Sequence, residues 1–221
     1  MFRLPVLSIF ALVLHAGFAP SLAQAYDSSY YRTDFWGGEY PRGFTMSADK
    51  TIAIRSQPDP DSAPTIDCVL EKGATYHPWN EKRTKTSKLE FVTFVRTIDF
   101  EIKAPVSILV TDEETRKEET IAFRAGDRWT YLTYYAEGAF RMRFKGVVYS
   151  AEQDLFDASW ELVDGSRRRD TRETRFEADE WLRLVCANQA RGWIFMREIA
   201  DKPGFDGANV VKYGEAADRT E

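Results

Sequence analysis

The sequence predicts an all-β protein, on three observations. The run LEFVTFVRTIDFEIKAPVSILV (89–110) is dense in β-branched and aromatic residues and alternates around Phe91, Thr93 and Val95, as half-buried strands do. Gly126, Gly138 and Gly146 punctuate residues 120–151 at intervals of 12 and 8, a spacing of short strands joined by turns. In DEWLRLVCANQARGWIFMREI (179–199) a period of two competes with a helical one, and Leu184 favours the period of two.

The chain opens with Met1-Phe2-Arg3, an apolar run from Leu4 to Phe18, and APSLAQA ending in the small-x-small pattern Ala23-Gln24-Ala25. This is the anatomy of a secretory signal peptide, so residues 1–25 are expected to be removed and the mature chain to begin at Tyr26. A signal anchor is the competing reading, but the run is short for a span of ~20 residues. No Cys stands at the cleavage site for a lipid anchor, and no later run approaches spanning length. The expectation is a periplasmic or secreted protein with no membrane span after cleavage. The chain has 30 basic and 35 acidic residues, net −5, and loss of Arg3 takes it to −6. Such a balance offers no global attraction to nucleic acid or anionic lipid.

Residues 26–48 hold Tyr26, Tyr30, Tyr31, Phe35, Trp36, Tyr40 and Phe44, broken by Gly37-Gly38 and Pro41. They read as an N-terminal aromatic arm whose rings fill grooves of the body, with a sugar-binding platform as the alternative. A first unit is expected over 49–111. Thr51 to Arg55 alternates as a strand, SQPDPDSAP (56–64) is an irregular loop, Ile66 to Leu70 is a second apolar run, and Lys72-Gly73 a turn. Residues 89–110 supply two or three strands, with Pro105 at a break or an edge. Residues 112–121 form a charged loop or hairpin tip, and a second unit spans 122–202. Within it SRRRDTRETR (166–175), five bases and two acids, reads as a solvated loop independent of the acidic one. Residues 203–221 are a C-terminal tail.

For 179–199 a helix has real support. Thr174 and Glu177 form a capping box, Ala178, Trp181, Leu182, Val185 and Cys186 share a face, and Gly192 suits the position past the end. A hairpin places Trp181, Arg183 and Val185 on one face and Leu182, Leu184 and Cys186 on the other. Asn188 then lies in the turn, Gly192 becomes a turn residue rather than a helix stop, and a strand restarts at Gly192-Trp193 and runs to Ile199. Leu184 favours the hairpin, because on the helix it falls outside the apolar stripe, but both readings stay open on the residues alone.

WLRLVCANQARGWIFMREI (181–199) resembles the closing strands of bacterial SH3-like (SH3b) domains, and TIAIRSQPDPDSAPTIDCVLEKGATY (51–76) resembles their opening, a strand ending in Arg-Ser before a Pro/Asp loop. FRAGDRWTYLTYYAEGAFRMRFKGVVY (123–149) resembles the opening of a second copy. The first unit lacks its own Gly-Trp closing turn, and residues 152–178 have no counterpart, so one barrel with a long insertion and two barrels both stay open. The resemblance implies one or two small SH3-like barrels acting as a non-catalytic binding or structural module of the cell envelope. Its ligand would be peptidoglycan, a cell-wall peptide or an envelope protein, held on aromatic surfaces. Trp129, Tyr134, Tyr135, Trp181 and Trp193 are the candidates, with core packing the competing role for each Trp and the favoured one for most, Trp193 included.

The chemistry is sparse. Cys68 and Cys186, the only cysteines, lie 118 residues apart, and both a disulfide and two buried thiols are open. The mature chain has one histidine, His77, so no multi-histidine metal site can form within it. No phosphate-binding glycine loop is present, and no cofactor or metal is expected. An enzyme is not expected. The alternative is a cell-wall hydrolase with a Cys68–His77 dyad, which the strand and proline flanks of Cys68 disfavour.

Overall fold

In the computed structural model residues 26–34, 43–76 and 90–207 are described, together with the backbone of 210–211 and 215–216. The expected signal peptide (1–25), part of the arm, His77 and most of the tail lie outside the described residues. The strands in chain order are β1 (Tyr30–Thr33), β2 (Phe44–Met46), β3 (Lys50–Ile54), β4 (Ile66–Leu70), β5 (Thr75–Tyr76), β6 (Phe91–Arg96) and β7 (Ile98–Ile102). Next come β8 (Val106–Asp112), β9 (Glu118–Phe123), β10 (Arg128–Ala136), β11 (Ala139–Phe144), β12 (Val147–Ala151) and the helical turn α1 (Asp154–Asp157). The chain continues as β13 (Ser159–Val163), β14 (Arg167–Asp170), β15 (Ala178–Val185), β16 (Arg191–Phe195), the turn α2 (Met196–Ile199) and β17 (Phe205–Gly207). Residues 210–211 pair with 215–216 as β18 and β19. The protein is all-β, as its alternation and glycine spacing require.

The largest sheet is antiparallel in the order β14-β13-β7-β10-β11-β12-β8-β9. A second runs β1-β6-β15-β16, a third β17-β2-β5, and β3 pairs with β4. None of these sheets closes on itself among the described residues, so the small closed barrel expected from the resemblance is not what the strands form. The large sheet curls instead. Phe123 of β9 meets Phe144 of β11 at 4.7 Å across two intervening strands, and Leu155 and Phe156 of α1 join Phe100, Trp129 and Phe140 in one cluster.

The chain enters and leaves the large sheet at one place. β6 and β7 are separated only by Thr97, yet lie in different sheets. On return, β15 pairs with β6, from Ala178 opposite Val95 to Leu182 opposite Phe91. The backbone N–H of Arg96 donates to the Glu177 carbonyl at 3.0 Å, closing the junction. Residues 97–177 therefore leave and rejoin through adjacent strands. The apolar clusters follow this division, and not one at 112–121. One gathers Phe44, Ile54, Leu70 and Phe91 with Leu182, Leu184 and Ile194, drawing on both expected units.

The hairpin at 178–195 is present, with Trp181 opposite Phe195 and Leu184 opposite Gly192. Leu182, Leu184 and Cys186 share one core while Trp181 packs in another, the split that alternation predicts. Two details differ. The strand expected to reach Ile199 ends at Phe195, and α2 follows, burying Ile199 while Arg197 and Glu198 stay outward. Gly192 is also not in the turn. Cys186 N–H bonds the Ala190 carbonyl at 2.9 Å, and Gln189 takes the positive φ of 64°. At Gly192 a Cβ would stand 2.6 Å from the Arg55 carbonyl oxygen and 2.8 Å from Ile54 Cδ1. The glycine lets β3 cross β16 at contact distance.

Cys68 and Cys186 form a disulfide, with Cα atoms 5.3 Å apart. The turn docks beside it: Asn188 Nδ2 donates to the Asp67 carbonyl at 2.9 Å and Ala187 N–H to the Val69 carbonyl at 2.9 Å. At the other end of the chain, Tyr26 stacks on Phe94 at 3.8 Å and β1 pairs along β6 as a further strand of that sheet. The charged segment 112–121 is only partly a loop, since Asp112 ends β8, Glu118 begins β9, and Asp112 Oδ1 accepts the N–H groups of Glu114 and Thr115 at the tip. The basic segment 166–175 is not a free loop either, because Arg167–Asp170 is the edge strand β14.

Gly192→Ala should lower unfolding free energy by roughly 1–3 kcal/mol, the usual cost of overpacking, read as a lower urea midpoint. Breaking the disulfide with a Cys68→Ser, Cys186→Ser pair should cost roughly 2–5 kcal/mol. The unreduced wild-type chain should take up no iodoacetamide in intact-mass measurement, and two equivalents after unfolding and reduction.

Candidate binding cleft

The cleft is built on one arginine. β3 runs into Arg55, whose N–H donates to the Trp193 carbonyl at 3.0 Å while its carbonyl accepts from Trp193 N–H at 2.7 Å. The side chain is buried. Its Nη1 and Nη2 grip both oxygens of Glu198 at 2.7 Å, Nε donates to the Ser62 carbonyl at 2.9 Å, and the guanidinium lies 5.6 Å from the centre of the Trp181 ring. A forked pair of this kind fixes orientation as well as charge. It ties α2 to the Pro/Asp loop. Arg55 holds the Glu198 carboxyl below the usual carboxylate range, mainly through its hydrogen bonds.

With α2 pinned, a cleft of about 460 Å³ opens between α2, β15, β2 and β17. Phe44 from β2, Met196 and Ile199 from α2, and Phe205 from β17 give it an apolar floor. Phe44 and Phe205 meet edge to face at 5.3 Å, fixed by the pairing of β17 with β2. Glu180, Asp201 and Asp206 stand against Arg197 around the rim, and Arg197 is itself drawn to Asp179 at 2.7 Å. The rim is acidic over an apolar base. This suits a ligand with an apolar body and a cationic group. The described lining holds no Ser, Cys or His, hence none of the usual nucleophile–base pairs.

The five expected aromatic ligand residues do not come together. Trp129 is buried, stacked on Phe100 at 4.5 Å, with Nε1 donating to Ser159 Oγ at 2.9 Å. Trp181 is buried, stacked on Phe195 at 4.5 Å, with Nε1 donating to the Tyr26 hydroxyl at 2.9 Å. Trp193 is buried in the same cluster. These three indoles are core, and they are withdrawn as ligand surfaces because a fully packed ring has no face to offer. Tyr134 and Tyr135 are 37% and 51% exposed, but they sit on β10 of the large sheet, away from the cleft lining. Burial pushes the Tyr26 phenol up, and its hydroxyl accepts from Trp181 and donates to Asp179 Oδ2 at 3.0 Å.

The arginine run has a structural explanation. Glu101 and Glu161 are buried. Arg168 Nε donates to Glu101 at 2.9 Å, and Arg169 Nε to Glu161 at 3.0 Å with Thr174 Oγ1 at 2.6 Å. A carboxylate inside a protein requires such a partner. The cysteine of the proposed dyad, Cys68, is held in the disulfide, so the oxidised chain has no thiolate there. Its partner His77 lies outside the described residues. Among the described residues no cluster of His, Cys, Asp and Glu is arranged to hold a metal, and no helix is long and apolar enough to cross a membrane. Comparison with protein-family models, curated proteins and solved structures finds no match.

Sequence reading missed Glu198, Arg197, Glu180, Phe205 and Asp206. Arg55 had a signal, since it is the arginine of the Arg-Ser pair that closes the first strand. Phe205 and Asp206 had none, lying in a segment read as tail.

Arg55→Ala should cost roughly 3 kcal/mol of stability, below the top of the range for fully buried pairs because Glu198 keeps contact with water. The pair also sets a pH dependence. The folded-state pKa of Glu198 is depressed, so its stabilisation is complete above the unfolded value of about 4.3 and is lost as pH falls through the lower folded value. The stability gap between wild type and Glu198→Gln should therefore be full at neutral pH and shrink in acid, measured as urea midpoints across pH.

Proposed function

We propose that this protein is an exported, non-catalytic binding module of the cell envelope, built on an SH3-like unit split by a long insertion. The carrying observation is the packing of 51–76 against 178–199 through Arg55, Gly192 and Trp193. These are the two segments whose sequence resembles the opening and closing of such domains. Residues 97–177 are then the insertion, entering and leaving between two paired strands. A signal-like leader and a buried disulfide support an oxidising, extracytoplasmic location.

The ligand we favour is the peptide part of peptidoglycan, bound in the cleft beside α2. The alanine methyl groups and the free amine of such peptides suit the partly exposed Met196 and Phe205 and the acidic rim. An envelope protein presenting a basic segment is the second partner this chemistry would accept. A Cys68–His77 hydrolase draws no support from the bridged Cys68.

The test is co-sedimentation with purified sacculi. Wild type should pellet with them and release no soluble fragments. A Glu180→Lys, Asp206→Lys pair should retain roughly tenfold less, in line with a like-charge contact at a binding surface, while Tyr135→Ala should bind as wild type. No pelleting with sacculi, together with no envelope protein captured through the cleft, removes the proposal.

A further inference from the structure

Among its described lining residues the cleft has one base, Arg197 of α2. The fold turns the charged end of that base away. Arg197 lines the cleft together with Ala178 and Glu180 of β15. Successive residues of a strand face opposite ways, so Asp179, between them, belongs to the other face of β15. That face carries Trp181, packed with Phe195 and Tyr26. Arg197 Nη2 lies 2.7 Å from Asp179 Oδ1, and its guanidinium is 5.6 Å from the centre of the Phe195 ring. The head of Arg197 therefore sits on the Trp181 face, while its stem borders the cleft.

Asp179 is itself fixed. Its Oδ2 accepts the Tyr26 hydroxyl at 3.0 Å, and that hydroxyl accepts Trp181 Nε1 at 2.9 Å. Tyr26 is buried and stacked on Phe94. The Asp179 side chain is 16% exposed, against 65% for Arg197. The acid is thus the anchored member of the pair, and the long base is the one it holds. The other charges around the cleft are Glu180, Asp201 and Asp206 on its rim, with Lys202 exposed beside Asp201. Lys50 stands nearby, its amine on the Pro203 carbonyl and 5.1 Å from the centre of the Phe205 ring. Glu198, next to Arg197, is gripped by Arg55. Against these charges, the placement of the Arg197 head shifts the balance that a ligand meets.

We propose that Asp179 is a positioning residue that sets the cleft's acceptance of a cationic ligand group, by holding the Arg197 charge off the ligand. This role rests on the cleft being the binding site. Without Asp179 the guanidinium can swing over the rim, where it repels an amine.

The test titrates two tripeptides into the purified chain by NMR. One is acetyl-Ala-Ala-Lys-amide with its lysine amine free; the other has that amine acetylated. The quantity read is the ratio of the two affinities, since general damage to the cleft weakens both peptides alike. Asp179→Asn should lower the preference for the free amine roughly three- to tenfold, the size of one like-charge contact at a wet surface. Adding Arg197→Gln to Asp179→Asn should restore it. Arg197→Gln in the wild-type background should change the ratio by a smaller factor, because Asp179 already holds the charge away there; residues that act on each other are not additive. A ratio unchanged by Asp179→Asn overturns the role of Asp179 alone. So does an Arg197→Gln effect equal in both backgrounds, which is plain charge counting. A wild type that binds neither peptide overturns the cleft reading and the role of Asp179 with it.

Discussion

The structure turns on the place where β3 crosses β16. Two chain segments more than a hundred residues apart meet there, backbone to backbone, at Arg55 and Trp193. The approach is possible because position 192 has no side chain, and it is oriented because the Arg55 guanidinium reaches Glu198 and caps Trp181. Three consequences follow from that one crossing. Its backbone pairing registers the opening hairpin on the closing one. The Arg55–Glu198 fork sets the angle of α2. Together they create the cleft, whose walls are α2 and the strands on either side of it.

That crossing must hold while a large sheet hangs between its two halves. Bringing distant segments together costs loop-closure entropy, though this cost grows slowly with length. The disulfide removes part of it by joining the same two halves in the unfolded chain, by roughly 4–5 kcal/mol on the chain-entropy model for so long a loop. The bridge, the Asn188 contacts to β4 and the Arg55 pair all connect the same two segments. The junction at Arg96 and Glu177 does the same work from the other side, keeping the inserted sheet's two ends side by side.

Much of this was legible in local sequence. Alternation suggested the hairpin of β15 and β16, Leu184 favoured strand over helix because a helix gives it no core to face, and the likeness to SH3-like closing strands tipped the choice. The arginine before the Pro/Asp loop marked the end of β3. What local pattern could not show was set by distant partners. Gly192 looked like a turn residue, since a glycine required by an approaching strand and one required by positive φ are identical in sequence. Ligand and core roles stayed open for the indoles of Trp129 and Trp181 because their partners, Phe100, Ser159, Phe195 and Tyr26, come from other elements. The sheets stay open where a closed barrel was expected, because β7, adjoining β6, carries the chain into a second, larger sheet.

The same lesson bears on charge. The run at 166–175 holds five bases and reads as a solvated loop if taken alone. Two acids buried inside the large sheet account for its two central arginines, since Glu101 and Glu161 would be costly there without guanidinium partners. Arg172 folds back on Asp170 through two further bonds. Basic residues spent on internal acids add little to an outward field, so the sign of the run says less about a partner than the few charges left over. At the cleft the balance goes the other way: among the described residues that line it, Arg197 is drawn to Asp179, while Asp201 and Asp206 stand on the rim.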